Sequence, residues 1–194
     1  MLRKKKDFLN TVNRYNSTPN YRDKNNIARE NLFNNEYIKE QSKKIQKAGN
    51  DRDNVFEETC KIRVKEYKDF LGATNLIRNE ENIKGFNLKH YNKNVQKYYK
   101  LMDKYAKDQG WKNVKEKSKS QGLGNEDDLF NVIYKETPEY LESFKRFQEA
   151  QKEYTNKATT LAKEMLQEAG VKKPTDRQIQ TSIYALSAAY KKNK

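Results

Sequence analysis

Apolar positions recur at helical spacing along nearly the whole chain, punctuated by a few Gly and Pro breakers. Residues 3–15 predict a short basic helix with Phe8, Leu9, Val12 and Tyr15 on one face, within a basic N-terminal arm over 1–20. The stretch NSTPNYRDKN interrupts it around Pro19. A second helix is expected over 24–48, with Ile27, Ala28, Leu32, Ile38 and Ile45 inward and Gly49 ending it. A third is expected over 53–71, carrying Phe56, Cys60, Tyr67, Phe70 and Leu71 and stopping at Gly72, with a weaker piece at 75–83.

The segment KNVQKYYKLMDKYAK falls in a helix expected over 87–108. Lys93, Lys97, Lys100, Lys104 and Lys107 lie along one line of that helix, a comb about 21 Å long at roughly 1.5 Å per residue. Leu88, Tyr91, Val95, Tyr98, Tyr99, Met102, Tyr105 and Ala106 take the opposite side. Residues 112–126 are almost wholly polar and read as a mobile loop. LFNVIY at 129–134 fits helix or strand, with helix the better fit.

TPEYLESF opens the longest pattern: Thr137 at the N-cap, Pro138 at the first helical position and Glu139 in the first turn. The apolar stripe then continues to Ala169, before Gly170, a helix of about 48 Å. Pro174-Thr175 opens a last helix, with Thr175 and Gln178 in capping-box spacing and Ile179, Ile183, Leu186 and Tyr190 inward. The expectation is an all-α fold: an elongated bundle of about five to six helices, one of them very long, over about 138–169. Residues 21–111 form the helical region with the comb, and 127–194 join them as one domain.

Composition narrows the picture. Hydrophobic residues make up 34% and charged residues 35%, so narrow apolar faces, some completed by other subunits, suit the chain better than a large core. The net charge of +14 favours polyanionic partners: nucleic acid or another acidic surface. It concentrates in 1–50, with 12 basic and 5 acidic side chains, and in 84–119, with 11 and 3. Lysines outnumber arginines 32 to 9, which argues against base-specific readout, since bidentate recognition prefers arginine. One cysteine excludes an intramolecular disulfide framework, and the basic start lacks the apolar stretch of a signal peptide. These features fit a cytoplasmic protein or one within a virus particle.

Catalytic signatures are scarce. His90 is the only histidine, which rules out two-histidine metal sites, and it sits beside the comb. Cys60 falls among Phe56 and Tyr67 and reads as a buried, inert small hydrophobe. DRDN at 51–54 matches the opening of a calcium loop, but Phe56 occupies the position that demands glycine. Glu126, Asp127 and Asp128 would need further carboxylates to hold metals for a nuclease, and spacing nominates none. No catalytic residue, metal site or cofactor is expected.

The sequence therefore points to a non-enzymatic structural or adaptor subunit, in a homo-oligomer or with other protein subunits. It would contact nucleic acid or another acidic surface without reading sequence. By analogy of size, helicity and charge, the connector, ring and internal proteins of phage virions are of this class. The candidate polyanion-binding residues are the five comb lysines together with Arg3, Lys4, Lys5 and Lys6. A solvated, solubilising face is the competing account of the comb. An inhibitor or effector docking on an acidic protein is the alternative function.

Overall fold

The computed structural model describes residues 2–18, 22–80, 87–110 and 126–192. Among them are α-helices joined by short 3-10 turns and no strand, the all-α architecture expected. None of these helices is long and apolar enough to cross a membrane. The loop expected over 112–126 lies outside the described residues except for Glu126, as do Trp111, Gly122 and Gly124.

The chain forms two compact units, Met1–Asn54 with Gln148–Lys194, and Val55–Phe147. The first unit contains α1 (Leu2–Ser17), α2 (Arg22–Asn34), α3 (Glu36–Ser42), a 3-10 turn (Lys43–Ile45) and the start of α4 (Gln46–Glu80). The later part of α7 (Pro138–Glu168) and all of α8 (Asp176–Lys192) complete it. Its core joins Phe8 and Val12 of α1 to Leu32, Ile38, Met165 and Leu186, so the basic N-terminus is a docked helix with a buried apolar edge.

The second unit contains the rest of α4, a 3-10 turn (Leu88–His90), α5 (Lys93–Asp108), α6 (Glu126–Ile133), another 3-10 turn (Tyr134–Glu136) and the start of α7. Phe70, Tyr98, Phe130 and Ile133 centre its core. Phe70 packs edge-on to Tyr98, with ring centroids 5.6 Å apart. The segment at 129–134 is helical.

Helix ends follow backbone chemistry closely. Gly170, with φ 97°, closes α7: its N–H donates to Gln167 and the Val171 N–H to Leu166, the two hydrogen bonds of a Schellman end. Thr175 and Gln178 form a full capping box, each accepting from the other's backbone N–H at 3.2 and 3.0 Å. Thr137 precedes Pro138 as expected, but its hydroxyl donates back to the Tyr134 carbonyl.

Three expectations need correction. The helix expected over 24–48 is broken at Asn35, whose side chain accepts from the Tyr37 and Ile38 N–H groups and so starts α3. Ile27 is accordingly 57% exposed. Gly49 ends nothing: α4 runs through it, and an added Cβ would sit 2.7 Å from the Tyr190 ring. Its smallness admits that ring. The helix also passes Gly72, where a Cβ would meet nothing within 4 Å.

The third correction concerns the inner face of α4. Phe56 is 53% exposed and Cys60 is exposed, while Thr59, Glu66, Phe70 and Ala73 are buried. The buried stripe lies to one side of the large apolar residues, because Thr59 meets Ser143 of α7 hydroxyl to hydroxyl at 2.6 Å. Small hydroxyl side chains let the two helix backbones approach and leave the phenylalanine outside the seam.

Candidate anion-binding site

On α5 the expected apolar stripe is the packed one: Val95, Tyr98, Met102 and Ala106 are buried. Asn92 caps the helix by accepting from the Val95 N–H at 3.0 Å. The lysine comb lies opposite, but its teeth are not alike. Lys97 is only 21% exposed and reaches the Glu66 carboxylate at 2.8 Å, with Glu139 at 3.8 Å. Glu66 is 1% exposed, and the Tyr98 hydroxyl also donates to its carboxylate. Lys97 is thus the counter-ion of a buried acid.

Lys104 pairs with Glu136, and Lys107 pairs with Asp103 one turn back. Each of these lysines titrates above its ordinary range, through the hydrogen bond to its acid and then that acid's charge. Lys93 and Lys100 are exposed and have no ion pair among the described residues. Acids therefore answer three of the five teeth: Glu66 from α4, Glu136 from the turn before α7, and Asp103 from α5 itself.

The N-terminal cations are placed differently. Lys5 pairs with Glu168 at 2.9 Å, and Lys4 lies 3.6 Å from Glu40. Arg3, Lys6 and Arg14 are exposed and have no ion pair among the described residues. They share one line of α1 with Asn10, at steps of three, four and four residues.

That line forms one wall of a cleft of about 870 Å³, together with Lys4. Facing side chains are mostly amides, Asn31, Asn34 and Asn35, with the Thr11 hydroxyl on α1. Two carboxylates also line the cleft, Asp7 and Glu36. Asp7 accepts from the Asn35 amide at 3.2 Å, and Glu36 holds Lys39 at 3.0 Å, which keeps its carboxyl below the usual range.

The cleft is thus an array of exposed cations backed by amide and hydroxyl donors. Its Arg3 end lies at the positive end of the α1 dipole, whereas Arg14 is in the last turn. The first turn of α1 has no acidic residue, and each cation there is disfavoured by roughly 0.3–1 kcal/mol at low salt. A bound anion removes that penalty and pairs with the cations together. Sequence reading selected Arg3, Lys4 and Lys6 but missed Arg14 and the asparagines, whose signal was their spacing along α1 and α2.

Chemistry of other kinds is sparse. Among the described residues no group of three or more His, Cys, Asp or Glu side chains is placed to hold a metal ion. The side chains of Asp127 and Asp128 lie outside the described part. His90 is exposed in the turn before α5, and Cys60 is exposed on α4. No protein family model, curated protein or solved structure matches this chain.

Proposed function

We propose that the chain is a non-enzymatic binding subunit of a larger assembly, contacting the phosphate backbone of nucleic acid without reading its sequence. The observation that supports this is the α1–α2 cleft, where Arg3, Lys6 and Arg14 line up without ion pairs among the described residues. Phosphate oxygens are bound by this mixture of arginine, lysine, asparagine and threonine side chains. From Arg3 to Arg14 the line spans about 16 Å along the helix, close to five steps of about 3.4 Å on one strand. Nothing in the cleft requires a base edge, so affinity would depend on salt and hardly on sequence.

Fluorescence anisotropy with a short labelled duplex of random sequence, read over a salt series, tests the reading. Three phosphate contacts correspond to a slope of about −2.7 in log affinity against log salt. Changing Arg3, Lys6 and Arg14 together to glutamine should remove about that much slope, because these exposed positions tolerate a fair helix former. Changing Lys93 and Lys100 to glutamine should remove less. An unchanged slope in the triple variant, or a loss confined to the comb variant, would reject the cleft.

A further inference from the structure

Resting on the phosphate reading of the α1–α2 cleft, we propose that its ligand is a single strand of nucleic acid and not a duplex. Phosphates lie along the cation line of α1, and unpaired base edges on the amide wall of α2. The dimensions favour one strand. A volume of about 870 Å³ beside about 16 Å of α1 gives a mean width of about 8 Å. A duplex spaces its strands across grooves about 12 and 6 Å wide, so it meets only the rim. One strand fits lengthwise.

The two walls differ in chemistry. Arg3, Lys6 and Arg14 stand on α1, whereas Asn31 and Asn34 are exposed on α2. An asparagine amide both donates and accepts, and phosphate oxygens only accept, so half of that capacity would be idle against a backbone. Every nucleobase offers both a donor and an acceptor on its pairing edge, and in a duplex the other strand occupies that edge. Because all four bases offer both, the amide wall does not select among them.

A carboxylate in the cleft points the same way. Asp7 lines it among the cations, where it would repel a ligand made of phosphate alone. It accepts from the Asn35 amide at 3.2 Å, which uses one of its roughly four lone-pair sites. The others suit the N–H groups of bases, donors that a phosphate backbone lacks. Tyr37 lines the cleft but is 3% exposed, so unstacked bases lie on the guanidinium planes of Arg3 and Arg14 instead.

Anisotropy of the full chain with a labelled decanucleotide of mixed sequence, alone and annealed to its complement, tests this over a salt series. The single strand should bind more than about tenfold tighter than the duplex at equal salt. Its slope should be about −2.1 for three contacts, given the smaller counterion release of single strands. Asn31→Ala combined with Asn34→Ala should weaken the single strand about threefold or more, leave its salt slope unchanged and leave the duplex unaffected. Circular dichroism checks that the variant stays helical, as alanine's propensity favours. A duplex bound as tightly as the single strand, with a slope that glutamine at Arg3, Lys6 and Arg14 removes, would overturn the single-strand inference and keep the phosphate reading. Amide changes that are silent, or that weaken both forms alike, would overturn it in the same way. Binding of neither form would reject both.

Discussion

Replacing Lys97 by methionine strands the Glu66 carboxylate. That carboxylate is 1% exposed and the lysine 21%, with 2.8 Å between the charged atoms. At this distance the direct attraction is about 6 kcal/mol for an effective dielectric of about 20, most of it offset by the cost of removing both ions from water. Removing one partner of a buried pair costs roughly 3–5 kcal/mol, and the fifth of Lys97 still in water lowers the expectation to about 2–4 kcal/mol. The double variant, methionine at both 66 and 97, should recover more than half of that loss. No buried ion is left in it, and the Tyr98 hydroxyl keeps the Glu66 backbone carbonyl as acceptor at 2.8 Å. Urea denaturation followed by far-ultraviolet circular dichroism measures both, with a constant m-value confirming that the denatured state is unchanged. A cost below about 0.5 kcal/mol for Lys97→Met, the range of ordinary surface changes, would refute the pairing. So would simple additivity of the two single changes.

Glycine positions give a contrasting pair. Gly49→Ala should lower stability by about 1–3 kcal/mol despite the better helix propensity of alanine, because Tyr190 is 1% exposed and its hydroxyl is tied to Asn50 and Asp53. Gly72→Ala, with open space around it, should raise stability by up to about 1 kcal/mol in the same denaturation assay. Alkaline stability follows from two tyrosines. Burial, then the carboxylates that accept from them, hold the Tyr37 and Tyr98 phenols well above their ordinary 10.0. Because the folded-state values are raised, their contribution is full below pH 10 and is lost as the pH climbs beyond it. Phenolate absorbance should therefore show these two ionising only as the helices melt; early, reversible ionisation of all 13 tyrosines would contradict this. For the cleft, oligonucleotide competitors should gain affinity steeply up to about five nucleotides and only slowly beyond, given the 16 Å reach of about eleven residues along α1. A dinucleotide competing as well as an octanucleotide would exclude the extended contact.

Local signals were legible where the backbone itself carries them. Thr175 and Gln178 announced their capping box, Gly170 its left-handed turn, and the alternation from Val95 to Ala106 the packed side of α5. Signals that depend on a distant partner were not. Gly49 reads as a stop until Tyr190, 141 positions later, is seen to need the space. Phe56 and Cys60 read as core because they are apolar, and only the Thr59–Ser143 contact shows that the seam prefers small polar residues. Glu66 looks like any surface acid, yet residues 31 and 32 positions away make it a buried one. The cleft is legible only in part: the basic run was visible, whereas Arg14 and the asparagines joined it through the packing of α1 on α2.

Charge shows the same limit most clearly, and it redirects the functional reading. Along the sequence the comb segment 84–119 is the densest positive run, 11 basic side chains against 3 acidic. Folded, it belongs to a unit with 19 basic and 15 acidic side chains, and acids answer three of its five teeth, two of them from other elements and one, Asp103, from the same helix. The first unit holds 22 basic and 12 acidic side chains, so most of the chain's excess resides there. At physiological ionic strength screening acts over about 8 Å, so a cation's usefulness to a polyanion depends on the acids within that radius more than on the run it belongs to. By that measure Lys97 is spent on holding a core together. Arg3, Lys6 and Arg14, held in a row by the burial of Phe8 and Val12 behind them, have no ion pair among the described residues, and Asp7, the acid that lines the cleft beside them, is engaged by the Asn35 amide.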